Sequence, residues 1–170
     1  MSHSENKFKW CLKKAEKELQ HGNNHRGIIK IKPNPELIEA HVKKSEHNIN
    51  AIIDFKNIGY SDWSASAAFY CIYHCFLAII TKFGYESRNQ ECTFALIYYL
   101  IETEKISLDK ELVQEIHLLN PEEKHKSATI IEIREIKQYG VRLSLEDETF
   151  NKMLKITKII LNQTKKIIEE

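Results

Sequence analysis

The sequence predicts an all-α chain: an up-and-down bundle of five to six helices preceded by an N-terminal helical extension. Three observations predict it. Glycine and proline are scarce, with five and three copies in 170 residues, whereas an all-β chain needs many turn residues. Apolar residues recur at intervals of three and four along most of the chain, which is the period of a helix face. The links between the periodic segments are short, and short links place successive helices antiparallel.

The first helix is expected over residues 5–21, with Phe8, Leu12, Ala15 and Leu19 as its apolar stripe and Trp10 and Cys11 beside it. It stops at His21-Gly22-Asn23-Asn24, and residues 22–33 read as a loop or short extended link tacked down by Ile28, Ile29 and Ile31. Asn34 and Pro35 are a good N-cap and first helical residue for the second helix, which runs to Gly59. Its stripe is Ile38, Val42, Ser45, Ile49, Ile52 and Phe55. Ser61 or Asp62 caps the third helix, which runs to Phe83 and closes at Gly84. This helix carries Ala65, Ala67 and Ala68 for close approach, then a run of aromatics, with apolar residues on nearly every face. A helix of that kind is surrounded by partners. Glu86–Gln90 is a short polar turn, and further helices are expected over Gln90–Glu104, Asp109–Leu119 and Ala128–Tyr139. Between the last two, Asn120-Pro121 and the charged run Glu122–Lys126 form a loop. The final helix starts at Ser144, whose Ser-Leu-Glu-Asp pattern approximates a capping box. Phe150, Met153, Leu154, Thr157, Ile160, Leu161, Thr164 and Ile167 form its continuous stripe. The chain divides into residues 1–33, a helix and linker, and residues 34–170, the bundle.

Composition narrows the class. The net charge of +1 by itself says nothing of partners. Residues 1–33 hold eight Lys/Arg against three Glu, a balance that suits either a nucleic-acid-facing surface or a solvated helix face. No apolar export segment opens the chain, so the expected location is the cytoplasm and the four cysteines are expected to be reduced. The Ala65–Ile80 run is short for a membrane span, which takes about 20 apolar residues, and Ser66 and His74 interrupt it.

The Ser66-Ala-Ala-Phe-Tyr70-Cys-Ile-Tyr73-His74-Cys-Phe-Leu77 segment, the Phe83-Gly84-Tyr85 exit, the Arg134-Glu-Ile-Lys-Gln-Tyr139-Gly140 segment and the long last helix occur in the order of a known pattern. Over residues 35–169 the chain resembles the HEPN domain, the helical domain named for higher eukaryotes and prokaryotes. The resemblance implies a bundle that dimerises and works on RNA or nucleotides, either as a metal-independent ribonuclease or beside a nucleotidyltransferase partner in a toxin–antitoxin or defence-type system. It implies no cofactor. The ribonucleases of the family use an arginine followed, after four to six residues, by a histidine. The histidine moves protons at the 2′-hydroxyl or leaving oxygen, and the arginine's planar fork holds the phosphate.

The sequence departs from that dyad. None of Arg26, Arg88, Arg134 and Arg142 has a histidine at the required offset, and after Arg134 the position holds Tyr139. A phenol with an ordinary pKa near 10 is a poor base at neutral pH. The chain is therefore expected to be an RNA- or nucleotide-binding module with Arg134 and Tyr139 marking the site and Lys137 and Arg142 close by. The alternatives are a divergent ribonuclease whose base is another histidine, His74 or His125, and a purely structural interaction bundle. Arg88 and Asn89 in the turn after the third helix are candidate ligand contacts, against a reading as turn and helix cap. Tyr70 and Tyr73 suit base stacking or the core. His74 suits a nucleotide cleft, or the core with a tyrosine or carbonyl as its partner. Cys71, His74 and Cys75 share a helix face, and Cys92 or His47 would complete a zinc set; buried thiols and a core histidine are the reading adopted, with no metal.

Overall fold

A computed structural model describes residues 2–117 and 128–170. The order is α1 (His3–Gln20), β1 (Ile28–Lys30), α2 (Pro35–Asn57), α3 (Ser61–Lys82), β2 (Tyr85–Ser87), α4 (Gln90–Glu102), α5 (Lys110–Gln114), α6 (Ile130–Tyr139) and α7 (Asp147–Glu169). The all-α helical bundle expected from the sequence is the architecture observed. The 120–126 loop, with His125, lies outside the described residues.

α3 is the central helix. Ala65, Ala68, Cys71, Ile72, Cys75, Phe76, Ile79 and Ile80 on it are essentially inaccessible to solvent. The isoleucines and the phenylalanine among them contribute about 1.5–3 kcal/mol each when fully buried. α3 has the length and composition of a membrane-crossing helix, and 72% of its most apolar window is buried inside the bundle. α2 lies antiparallel along it: Ile52 meets Ser64 near one end, and His41 meets His74 further along. α7 runs antiparallel to α2, pairing Asp147 with Lys56 and Lys165 with Glu46. α6 and the link after it run back along α3, from Arg134 over the Phe69 ring to Leu145, whose N–H donates to Ser61 Oγ.

The helix ends are set by local chemistry. Asn34 caps α2 as expected, accepting from Leu37 N. Two expected caps are corrected. Ser61 lies inside α3, whose N-cap is Tyr60 without a side-chain bond, because the Ser61 hydroxyl is used by Leu145. α7 begins at Asp147 with Glu146 as N-cap, so the Ser144 box does not form; Ser144 O instead accepts from Lys137 Nζ. A capping box does form at α6, between Thr129 and Glu132. α5 is only five residues long, shorter than expected.

Two features depart from the expected loops and thiols. β1 and β2 pair as an antiparallel two-stranded sheet, with Ile29 opposite Glu86. Gly84, at φ +79°, turns the chain from α3 into β2. The expectation of four reduced cysteines fails for two of them: Cys11 of α1 and Cys92 of α4 form a disulfide, while Cys71 and Cys75 are free and buried. The disulfide falls on the buried face of α1, which is Phe8, Cys11 and Ala15; Leu19, expected on that face, is 50% exposed. Gly27 permits the adjoining approach, since a Cβ there would lie 2.3 Å from Cys11 O.

The disulfide closes a loop of 81 residues in sequence separation. On the chain-entropy model such a loop restrains the unfolded state by roughly 4.5 kcal/mol at 25 °C. Urea unfolding of the oxidised protein and of Cys11→Ser/Cys92→Ser should therefore differ by about 2–5 kcal/mol. Equal midpoints with and without reductant would exclude a structural bond.

Candidate functional site

α2 and α6 both pack on α3, and a strip of α3 between Arg134 of α6 and His41 of α2 keeps part of its surface open. Trp63, Ser66, Tyr70, Tyr73, His74 and Leu77 follow one another at helical spacing along this strip. Trp63 and Tyr70 are about half exposed, at 53% and 50%, and the others are half-buried. Large aromatics at such positions gain little from packing, and their open faces are available for stacking.

One wall of the strip comes from α6. The Arg134 guanidinium lies 4.2 Å from the centroid of the Phe69 ring. Phe69 in turn stacks on Tyr73, with centroids 5.7 Å apart. Arg134 is far more enclosed than Arg88, whose side chain is 54% exposed. Its side chain is 14% exposed, Nη2 is 3.6 Å from Glu135 Oε1, and Nε has no partner among the described residues. A guanidinium over an aromatic face is attracted by the ring and restrained there.

The other wall comes from α2, through a histidine the sequence reading passed over. His41 Nδ1 and His74 Nδ1 are 3.0 Å apart and hydrogen-bonded. One ring must donate and the other accept, which a neutral pair achieves with complementary tautomers. Burial and the nearby His74 push His41 down to about 4. Burial, and secondarily the Lys44 charge, lowers His74 as well. Both imidazoles are thus neutral and hydrogen-bonded at neutral pH, with the partner of His74 being a histidine rather than the tyrosine or carbonyl expected.

At the C-terminal end of the strip a cavity of about 270 Å³ opens between α2, α3 and β2, lined by Leu37, His41, Leu77, Ile80, Thr81, Glu86 and Ser87. Glu86 is anchored by Arg88, whose Nε donates to Oε1 at 2.8 Å, and by His25 Nε2 at 3.4 Å from the same oxygen. Arg88 therefore acts beside this cavity, while Asn89 serves as the N-cap of α4, accepting from Cys92 N at 3.0 Å.

The predicted residues separate into two groups. Tyr70, His74 and Arg134 belong to the strip and its walls, and Arg88 touches the cavity only through its bond to Glu86. Lys137 is engaged with Ser144 O at 2.8 Å. Tyr139 is 80% exposed and belongs to an apolar stretch with Ile136, Val141 and Leu143, exposed by 60%, 94% and 78%; Arg142 is exposed within it. The Cys71–His74–Cys75 face is not assembled as a ligand set: Cys75 Sγ donates to Ser45 Oγ, Cys92 is bonded to Cys11, and among the described residues no three His, Cys, Asp or Glu gather. His41, Trp63 and Glu86 were missed. The i, i+7 spacing of Trp63 and Tyr70 could have revealed an aromatic row, whereas the meeting of His41 with His74, 33 residues away in sequence, has no local signature.

The histidine pair gives stability a pH dependence. The folded pKa of His41 is lowered from 6.5 to about 4, so below pH 6.5 the unfolded chain takes up a proton that the folded chain refuses. The stabilisation is complete above about pH 6.5, declines as pH falls, and has levelled off below about pH 4. Urea midpoints measured across this window should fall for the wild type and fall less for His41→Gln; parallel pH profiles would show that the pair does not titrate as described.

A scan against models of known protein families finds no match to this chain, and neither does a search of curated proteins. The strip, its two walls and the cavity are thus the ground on which a function is argued.

Proposed function

We propose that this chain is a HEPN-like module that binds single-stranded RNA or a nucleotide along the open strip of α3. The observation that carries the proposal is the row of Trp63, Tyr70 and Tyr73 with Arg134 on one side and the neutral His41–His74 pair on the other. Stacking on aromatic faces is tolerant of sequence, since every base has a π-face, and cations beside the row meet the backbone. In this reading Arg134 keeps the role the sequence suggested, but Tyr139 does not share its site. Tyr139, Ile136, Val141 and Leu143 instead offer an apolar surface for a protein partner, a second copy of the chain or a nucleotidyltransferase in a toxin–antitoxin or defence-type system. A cytoplasmic location remains part of the proposal. There the Cys11–Cys92 bond would be a redox-dependent staple, since cytosolic disulfides are uncommon.

A second reading, a divergent ribonuclease, is favoured by the histidine pair itself. A neutral imidazole is in the protonation state of a general base, and His74 is anchored by its bond to His41. The Phe69–Tyr73 stack lies between Arg134 and this pair, so the bound phosphate would have to draw the guanidinium off the ring.

Fluorescence anisotropy with a labelled, unstructured RNA should show binding at low salt that weakens steeply as salt rises. Trp63→Ala and Tyr70→Ala should each cost about 1–3 kcal/mol of affinity, and Arg134→Ala should reduce the salt slope by about one unit. Absence of RNA affinity at about 50 mM salt would sink the module. Incubating RNA with protein in EDTA decides the second reading: cleavage lost in His74→Ala supports it, and intact RNA at high protein concentration removes it.

A further inference from the structure

We infer that the cavity at the end of the strip is a pocket for a single nucleobase and that Glu86 makes it selective for guanine. The inference rests on the proposed reading of the strip and adds to it a specificity that stacking alone does not provide.

The size of the cavity comes first. At about 270 Å³ it is just below the range of pockets that take drug-sized ligands, about 300–1,000 Å³, and so suits one ring system better than a whole oligonucleotide. Its walls come next. Leu37, Leu77 and Ile80 supply apolar surface for the flat faces of a ring, and Thr81, Glu86 and Ser87 supply polar groups. Recognition sites for small molecules are built this way, with a few placed polar groups on an apolar lining.

The polar groups are already oriented. Thr81 Oγ1 donates to Leu77 O, so its proton is used and its oxygen remains an acceptor, whereas Ser87 Oγ donates to Asn89 O and accepts from Thr93 Oγ1 and Asn89 N and is satisfied within the protein. Arg88 and His25 both meet Oε1 of Glu86, and no described residue takes Oε2. The carboxylate is therefore fixed at one oxygen and open at the other. An open carboxylate oxygen can accept two adjacent donors at once and so selects a ligand edge composed of donors.

Guanine alone among the common bases presents two adjacent donors, N1–H and N2–H, on its Watson–Crick edge. Adenine and cytosine place a ring-nitrogen acceptor next to the amino group, and uracil flanks its N–H with two carbonyls. Each would set a lone pair beside the carboxylate oxygen and forgo one of the two bonds that guanine makes there. His41 lines the same cavity and is hydrogen-bonded to His74 on the strip. A chain stacked on Tyr70 and Tyr73 would thus turn its next base past the histidine pair and into the pocket.

The test uses the four nucleoside 5′-monophosphates and the full-length protein, with binding followed by isothermal titration calorimetry and by ligand-observed NMR at low salt. GMP should bind at least about tenfold more tightly than AMP, CMP or UMP, in line with a site built around buried hydrogen-bonding groups. Glu86→Gln, at a half-exposed position, should abolish that preference, and Leu77→Trp, which fills the cavity, should abolish GMP binding; circular dichroism melts confirm folding of both variants. Equal affinity for all four nucleotides, no GMP binding, or a guanine preference that survives in Glu86→Gln would overturn the pocket. A parallel titration with a guanine-free RNA separates the two levels. RNA bound without GMP leaves the strip standing and removes the pocket, whereas GMP bound without RNA supports the pocket and removes the strip.

Discussion

The antiparallel seam between α2 and α3 is the constraint on which the rest of the structure depends. Both helices are long, 23 and 22 residues, and polar contacts hold their register at three places. Ser64 Oγ donates to Ile52 O, Cys75 Sγ donates to Ser45 Oγ, and His41 bonds His74. Hydrogen bonds inside an apolar interface have few alternatives, so a slip of register would leave several buried groups without partners. The small residues Ala65, Ala68 and Ser64 on α3 let neighbouring helices come close enough for this contact. With α2 fixed on one flank, α6 takes the other, and the exposed side of α3 becomes a strip with defined walls. The cavity follows as well, because Leu37 and His41 of α2 reach the level of Leu77 and Ile80 only in this register.

Much of the helical frame was legible because its signals are local. Asn34-Pro35 starts α2, the Phe150–Ile167 stripe defines the buried face of α7, and the all-round apolar character of Ser61–Lys82 identifies the central helix. The errors arise where a side chain serves a distant segment. Ser61 looked like a cap, and its hydroxyl is committed to Leu145 N; at Ser144 the helix simply begins later, at Asp147. The small sheet was hidden for the same reason. Three residues of strand carry too little alternation to detect, and β1 becomes a strand only by pairing with β2, more than 50 residues away. Cys11 and Cys92 illustrate it most plainly, since their pairing depends on the docking of α1 against α4 and not on either local sequence.

The candidate site was legible in its components more than in its assembly. His74, Tyr70 and Arg134 were singled out from the order of motifs along the chain, and they lie on one strip or its walls. Tyr139 was attached to Arg134 by a spacing rule. On a helix, a separation of five residues turns one side chain well away from the other, since residues three and four apart are neighbours. α6 accordingly presents Arg134 to Phe69 and leaves Tyr139 in solvent.

The histidine pair shows why assembly alters chemistry as well as position. A lone histidine on a helix face titrates near neutrality and carries a charge that depends on its surroundings. Two imidazoles sharing one hydrogen bond in a half-buried seam are held neutral, because burial disfavours a charged ring and a second positive charge nearby, from His74 beside His41 and from Lys44 beside His74, adds to the cost. Such a pair has no net charge with which to attract phosphate. It offers instead fixed ring faces and ring nitrogens of defined hydrogen-bonding character. Attraction for a polyanion then falls to the cations along the edges of the strip, Arg134 above all, while the floor and the histidine wall discriminate by shape and stacking. Division of the strip into a charged wall and a neutral wall gives a bound strand a preferred side for its backbone and a preferred side for its bases.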